Sequence, residues 1–222
     1  MRRVAAAAAA AFLASAAPAA NPAKIAVTPA SPDAVLIVRM PSAGVVYTLA
    51  IARYDDAQQD LAGDWIGIPV PARNDGELEF FAERVKPGSY VIQQVVQQGR
   101  WGVCFYAKTL EFDVKPGQAV YLGTFDAARP LRELRRHALA TKQLYAGGFT
   151  VHNYFDDITP PGFAEPEDAT LPDVRAFIAE QMPRTTATPV LAQYRTATFR
   201  AGRALVGPQR VCGGRYSRKD KR

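Results

Sequence analysis

Few residues in this chain can do chemistry, and their spacing limits what each can do. Cys104 and Cys212 are the only cysteines. An even count invites a disulfide in an oxidising compartment. Closing a loop of about 109 residues would stabilise the fold by about 4–5 kcal/mol on the chain-entropy account, less any strain. The competing reading leaves two thiols, with Cys104 packed as a small hydrophobe between Val103 and Phe105. A catalytic thiol is not expected, because the run Trp101-Gly-Val-Cys-Phe-Tyr106 holds no cation to lower the thiol pKa.

His137 and His152 are the only histidines. A metal site needs three or four convergent ligands, and neither histidine lies in a His-x-x-x-His or Cys-x-x-Cys frame. No metal and no cofactor is expected. His152 with Asp156 and Asp157 could act as a base or chelate a cation, and this grouping carries the alternative reading of a hydrolase-like enzyme with a dispersed site. The acidic run from Asp156 to Asp168 lacks the alternating oxygen ligands and hinge glycine of a calcium loop. Serine-hydrolase chemistry has no support either, since no Gly-x-Ser-x-Gly or Ser-x-x-Lys occurs. After Gly213-Gly214 come five cations, Arg215, Arg218, Lys219, Lys221 and Arg222, with one anion, Asp220. They read as a solubilising tail, or as a salt-sensitive contact with anionic lipid head groups or lipopolysaccharide phosphates.

The elements that position these residues are mostly strands. Ala34–Met40 and Val45–Tyr54 are rich in β-branched residues and are joined by Pro41-Ser-Ala-Gly44. Trp65–Val70 is confined to an edge strand or a loop by Gly67, Pro69 and Pro71. The sequence Val-Lys-Pro-Gly then occurs twice, ending at Pro87-Gly88 and at Pro116-Gly117. Proline presets φ at the second position of a turn and glycine supplies positive φ at the third, as a type II turn demands. Type II turns splay a tight hairpin, so each corner should carry the chain from one sheet to the facing one, or across a barrel corner, and not close a two-residue hairpin. Before the second corner Leu110, Phe112 and Val114 alternate with Glu111, Asp113 and Lys115, predicting a strand with the charges in water. Tyr90–Val96 and Ala119–Phe125 are apolar on both faces and should be central; a further strand falls around Val103–Ala107. Seven or so strands over 34–125, with turns at regular intervals, suit a β-sandwich.

Beyond Arg129 the period changes. Leu131, Leu134, Ala138 and Leu139 recur at helical spacing, with Arg132, Arg135 and Arg136 on other faces. Phe149–Phe155 reads as a strand and 156–169 as an acidic loop. Thr170-Leu-Pro-Asp173 fits a capping box opening a short helix to about Met182, and Val190–Phe199 reads as a closing strand.

The ends set the compartment. Met1-Arg-Arg3, an apolar run from Val4 to Ala14 too short to span a bilayer, and an Ala17-Pro-Ala19 cleavage site form a signal peptide over 1–20. Residues 21–33 hold three prolines and read as an extended linker; 34–200 form one domain, with its helical part over 127–200; 201–222 form a basic tail. Loss of Arg2 and Arg3 leaves 25 basic residues of 27 against 21 acidic ones. An excess of about +4 does not argue for nucleic acid without a basic stripe on a binding fold.

The segments Pro87-Gly-Ser-Tyr90, Cys104-Phe105 and Phe112-Asp-Val-Lys-Pro-Gly-Gln-Ala-Val-Tyr-Leu-Gly-Thr124 carry a resemblance over about residues 34–126. The chain resembles an uncharacterised family of exported proteobacterial proteins with a prealbumin-like or immunoglobulin-like β-sandwich domain of unknown function. That resemblance implies fold and compartment and no catalytic residue. The expectation is a mainly β, immunoglobulin-like or prealbumin-like sandwich with one or two short C-terminal helices, exported to the periplasm or secreted in a Gram-negative envelope. It would be non-enzymatic, without cofactor or transmembrane segment after cleavage, binding an envelope protein or an anionic membrane surface. A structural or assembly subunit of an envelope complex is the remaining alternative.

Overall fold

The computed structural model describes residues 21–73, 75–97, 101–140, 153–155, 162–164, 166–200 and Cys212. The expected signal peptide 1–20 and, Cys212 apart, the expected basic tail 201–222 lie outside the described residues. So does the part of the Phe149–Phe155 strand before Asn153.

Apolar runs with β-branched residues form eight strands between residues 34 and 125: β1 (Ala34–Pro41), β2 (Tyr47–Asp55), β3 (Asp60–Val70), β4 (Leu78–Val85), β5 (Gly88–Gln97), β6 (Trp101–Cys104), β7 (Thr109–Val114) and β8 (Ala119–Phe125). After them come α1 (Ala128–Ala140), β9 (Asn153–Phe155), β10 (Phe163–Ala164), α2 (Leu171–Gln181), β11 (Pro189–Leu191) and β12 (Arg195–Ala197). They make two sheets. The first runs β10-β8-β1-β4, with β11 also on β8; the second runs β12-β7-β5-β2-β3, with β6 on β5 and β9 on β6. The chain is mainly β, as its alternating and continuous apolar runs require.

Both Pro-Gly corners join the sheets. β4 and β8 belong to the first sheet, β5 and β7 to the second, and the corners link β4 to β5 and β7 to β8. The two corners differ in detail. Gly117 has φ +70, and its turn is closed by the Gln118 amide on the Lys115 carbonyl at 3.4 Å, the geometry a type II turn asks for. Gly88 has φ +151 and makes a wider bend. There the Tyr90 hydroxyl donates to the Lys86 carbonyl at 2.6 Å, and Arg53 Nη2 donates to the Pro87 carbonyl at 3.2 Å.

Three apolar layers result. Between the sheets lie Leu36, Val38 and Met40 of β1, Leu49 and Ile51 of β2, Ile92 of β5, Phe112 of β7 and Leu122 of β8. On the outer face of the first sheet, Val35, Ile37 and Tyr121 pack against Val174, Ile178 and Met182 at α2. On the outer face of the second, Ala52, Val91 and Cys104 pack under Ala197, Phe199 and Cys212. Cys104 and Cys212 form a disulfide, with Cα atoms 5.7 Å apart.

Several expectations need correction. Residues 21–33 are not a free linker: Ile25 and Val27 are buried against α2, and the Thr186 and Ala187 amides donate to the Val27 carbonyl. The apolar alternation Ile25-Ala-Val27 gives this segment a face to bury. Glu111 does not face water but is 3% exposed, because β12 pairs with β7 and lays Arg195 over it. Thr170 makes no capping box. It sits in helical φ/ψ at the end of a 3-10 turn (Asp168–Thr170) that runs into α2, and its hydroxyl donates back to the Glu167 carbonyl at 2.7 Å. The expected closing strand Val190–Phe199 is two strands in different sheets. β11 pairs parallel with β8 and β12 antiparallel with β7, so one segment covers both sheet edges on that side. β3 does lie at a sheet edge, where Pro69 costs no ladder bond, but it starts at Asp60.

A Cβ on Gly117 would lie 2.3 Å from the Pro29 carbonyl oxygen, in a left-handed conformation. Left-handed backbone alone costs about 1–2 kcal/mol for a residue with a Cβ, and the clash is with backbone that cannot swing away. Gly117→Ala should therefore lower unfolding free energy by at least about 2 kcal/mol. Gly162→Ala, whose Cβ would meet nothing within 4 Å, should change it by less than about 0.5 kcal/mol. Urea titrations of the two variants check the contrast.

Candidate functional site

Helix α1 starts where Asp126 Oδ1 accepts the Ala128 amide at 3.0 Å. Pro130 fits the first turn, where its missing N–H costs nothing. Leu131 and Leu134 turn into the inter-sheet core. The other faces are polar: Arg132, Arg135 and Arg136 are exposed, and Arg129 pairs with Glu133 one turn on at 3.3 Å. Among the described residues neither Arg132 nor Arg135 has an ion-pair partner.

These two arginines border a cleft of about 470 Å3 between α1 and the end of the second sheet. Its apolar side is Ala43, Val45 and Leu131; Ser42 and Gln97 add polar groups. The wall opposite the helix is braced. Ser42 hydrogen-bonds Asp75, its amide donates to the Glu77 carbonyl, and the Tyr47 hydroxyl donates to the Pro41 carbonyl at 2.6 Å. The Ser42 hydroxyl is the main cause holding Asp75 below the usual carboxylate range, and burial pushes Tyr47 far up, so it stays a neutral donor. The cleft offers two guanidinium groups beside an apolar surface, the equipment for holding an anion attached to an apolar body.

Two further charged clusters serve the frame. Asp33 is buried, with the Lys86 ammonium 2.8 Å from Oδ1 and Arg84 Nε donating to Oδ2 at 2.8 Å; its carbonyl accepts the Gly117 amide at 2.9 Å. One residue thereby ties the N-terminal segment to both Pro-Gly corners. Its carboxyl is held below the usual range, first by the Lys86 hydrogen bond and then, against the opposing effect of burial, by Arg84. In the second cluster Glu111 accepts from Ser89 Oγ at 2.8 Å and from Arg195 Nη2 at 2.5 Å, while Arg195 Nη1 reaches Asp113 at 2.7 Å. Ser89 here donates to a carboxylate already neutralised by a guanidinium, which fastens β12 and does not activate a nucleophile.

His152, Asp156 and Asp157 lie outside the described residues, as do Arg215, Arg218, Lys219, Lys221 and Arg222. Pro87, Gly88, Pro116 and Gly117 are corner residues that do not line the cleft, and the disulfide secures the layer on the outer face of the second sheet. Among the described residues no group of three or more His, Cys, Asp or Glu side chains could hold a metal ion. No helix among them is long and apolar enough to cross a membrane. Sequence reasoning placed Arg132 and Arg135 off the apolar stripe but did not single them out. It missed Asp33 and Arg39 altogether, though a charge beside or inside the apolar run 34–40 is a readable signal. Comparison with protein-family models, curated proteins and solved structures yields no match.

Because Asp33 titrates lower when folded than when unfolded, its contribution is present above the ordinary carboxylate pKa of about 4 and lost as pH falls through the folded value. Asp33→Asn should therefore lower the melting temperature at pH 7, and the gap from wild type should narrow as pH falls from 6 towards 3. Thermal melts across that range check it; a gap independent of pH would contradict it.

Proposed function

We propose that this chain is an exported, non-catalytic binding module of the cell envelope that takes an anionic envelope component into the cleft beside α1. The observation that carries the reading is the pairing of Arg132 and Arg135, without ion-pair partners among the described residues, with the apolar surface of Ala43, Val45 and Leu131. A solvated face alone would not need a concave apolar partner. The signal-peptide pattern over 1–20 and the disulfide are compatible with a periplasmic or secreted location.

The two-sheet architecture is compatible with an immunoglobulin-like or prealbumin-like sandwich, and with the uncharacterised exported proteobacterial family whose turn pattern the chain shares. Tyr90, bonding back to the Lys86 carbonyl, resembles the tyrosine corner of Greek-key sandwiches. In this reading the sandwich is a rigid mount and the helix at its end presents the contact.

An arginine near an anionic lipid surface contributes about 1 kcal/mol. Replacing Arg132 and Arg135 with alanine should therefore weaken partitioning onto anionic phospholipid vesicles by about 2 kcal/mol, roughly thirtyfold. Neutral vesicles should bind neither protein. The measurement is co-sedimentation of residues 21–222 at low salt, repeated with residues 213–222 deleted to separate the tail. Equal binding by wild type and the double variant would remove the cleft from the account.

A further inference from the structure

A second, smaller pocket lies on the outer face of the first sheet and shares no lining residue with the cleft beside α1. We infer that it is a binding site for a small zwitterion, a molecule of simple α-amino-acid size that presents its carboxylate to Arg39 and its ammonium to Glu167.

Arg39 projects from β1 on the face that otherwise buries Val35 and Ile37. Here the parallel register of β1 on β8 shifts between Ile37 and Arg39, and Gly123 of β8 has φ +94. The irregularity opens a gap where a regular ladder would have continued. Arg39 is held in place twice: its Nε donates to Thr124 Oγ1 at 3.0 Å, and its guanidinium carbon sits 5.9 Å from the centre of the Phe80 ring. Those contacts fix the plane of the fork but engage only Nε. Among the described residues no carboxylate pairs with its terminal nitrogens. A half-buried guanidinium with its two outer nitrogens unclaimed is matched in geometry by a carboxylate, which can accept both bonds side by side.

The rest of the lining narrows the ligand. Tyr121 OH lies 3.5 Å from Thr124 Oγ1, so two hydroxyls stand beside the fork. Glu167 and Thr170 line the same pocket, and the Thr170 hydroxyl donates to the Glu167 carbonyl, fastening the acidic residue's backbone. The lining thus includes an acidic residue, the exposed Glu167, whose charge works against a dianion such as phosphate and offers a partner for an ammonium. The volume, about 170 Å3, is well below the roughly 300–1,000 Å3 of sites for drug-sized ligands. The match is a ligand of a few heavy atoms carrying both charges.

Calorimetric titration of residues 21–222 with glycine, L-alanine, acetate and inorganic phosphate tests this. Glycine or alanine should bind saturably, at least tenfold tighter than acetate or phosphate. Arg39→Gln should weaken glycine at least tenfold, and Glu167→Gln should bring glycine down to the level of acetate. Should Arg39→Gln fail to fold, Thr124→Val, which frees the fork, should weaken glycine severalfold. The Arg132→Ala, Arg135→Ala double variant should bind glycine as wild type does, whatever becomes of its binding to vesicles. Acetate or phosphate binding as tightly as glycine, absence of any binding, or glycine binding unchanged in Arg39→Gln and in Thr124→Val would each overturn the assignment.

Discussion

Strand β1 is buried on both faces, and that constraint shapes the molecule. Ala34, Leu36, Val38 and Met40 face the second sheet, while Val35 and Ile37 face outward, and none is measurably exposed. A strand that is apolar on both sides, paired parallel with β8 and antiparallel with β4, has no side to give to water. The first sheet therefore needs two covers. One is the second sheet; the other is α2 together with Ile25 and Val27. Each buried aliphatic side chain of this kind is worth about 1.5–3 kcal/mol relative to exposure, so losing a cover is costly for a chain of this size.

Connectivity follows from the same demand. Each Pro-Gly corner moves the chain between sheets, and the run from Pro189 to Ala197 does so once more at the open side, pairing first with β8 and then with β7. Tyr194 bridges the two halves of that run: its hydroxyl donates to the Leu122 carbonyl, and its ring meets Phe112 edge-on at 5.9 Å. Asp33 joins the cover to the corners through Lys86, Arg84 and the Gly117 amide. With the sheet faces covered in this way, α1 is left at one end of the sandwich, where Leu131 and Leu134 anchor it and Arg132, Arg135 and Arg136 remain exposed.

Much of this was legible in residue order because it depends on local period. The continuous apolar run 34–40, the Pro-Gly corners, the edge proline in β3 and the helical spacing of Leu131 and Leu134 are all local signals. What escaped depends on partners distant in sequence. Glu111 alternates correctly with its neighbours, and only the return of Arg195 covers it. Thr170 has the right spacing for a cap, but a preceding 3-10 turn already holds its backbone. Residues 21–33 carry prolines that suggest a tether, yet their two buried side chains belong to a layer completed by α2. The cleft was only partly readable: Arg132 and Arg135 read as lying off the apolar stripe of α1 but were not marked as a site, and the wall built from Ser42 to Val45 and Gln97 comes from two loop-ends that meet only in three dimensions.

The envelope-binding reading treats the sandwich as a mount, so it relies on the cover of β1 being obligatory. The direct measurement compares a chain beginning at Asn21 with one beginning at Ala34 by thermal unfolding and by binding of a dye that reports exposed apolar surface. The account predicts that the shorter chain loses its cooperative transition, or melts far lower, and binds the dye. Matching transitions with no dye binding would show that the outer face of β1 needs no such cover, and would contradict the account at its base.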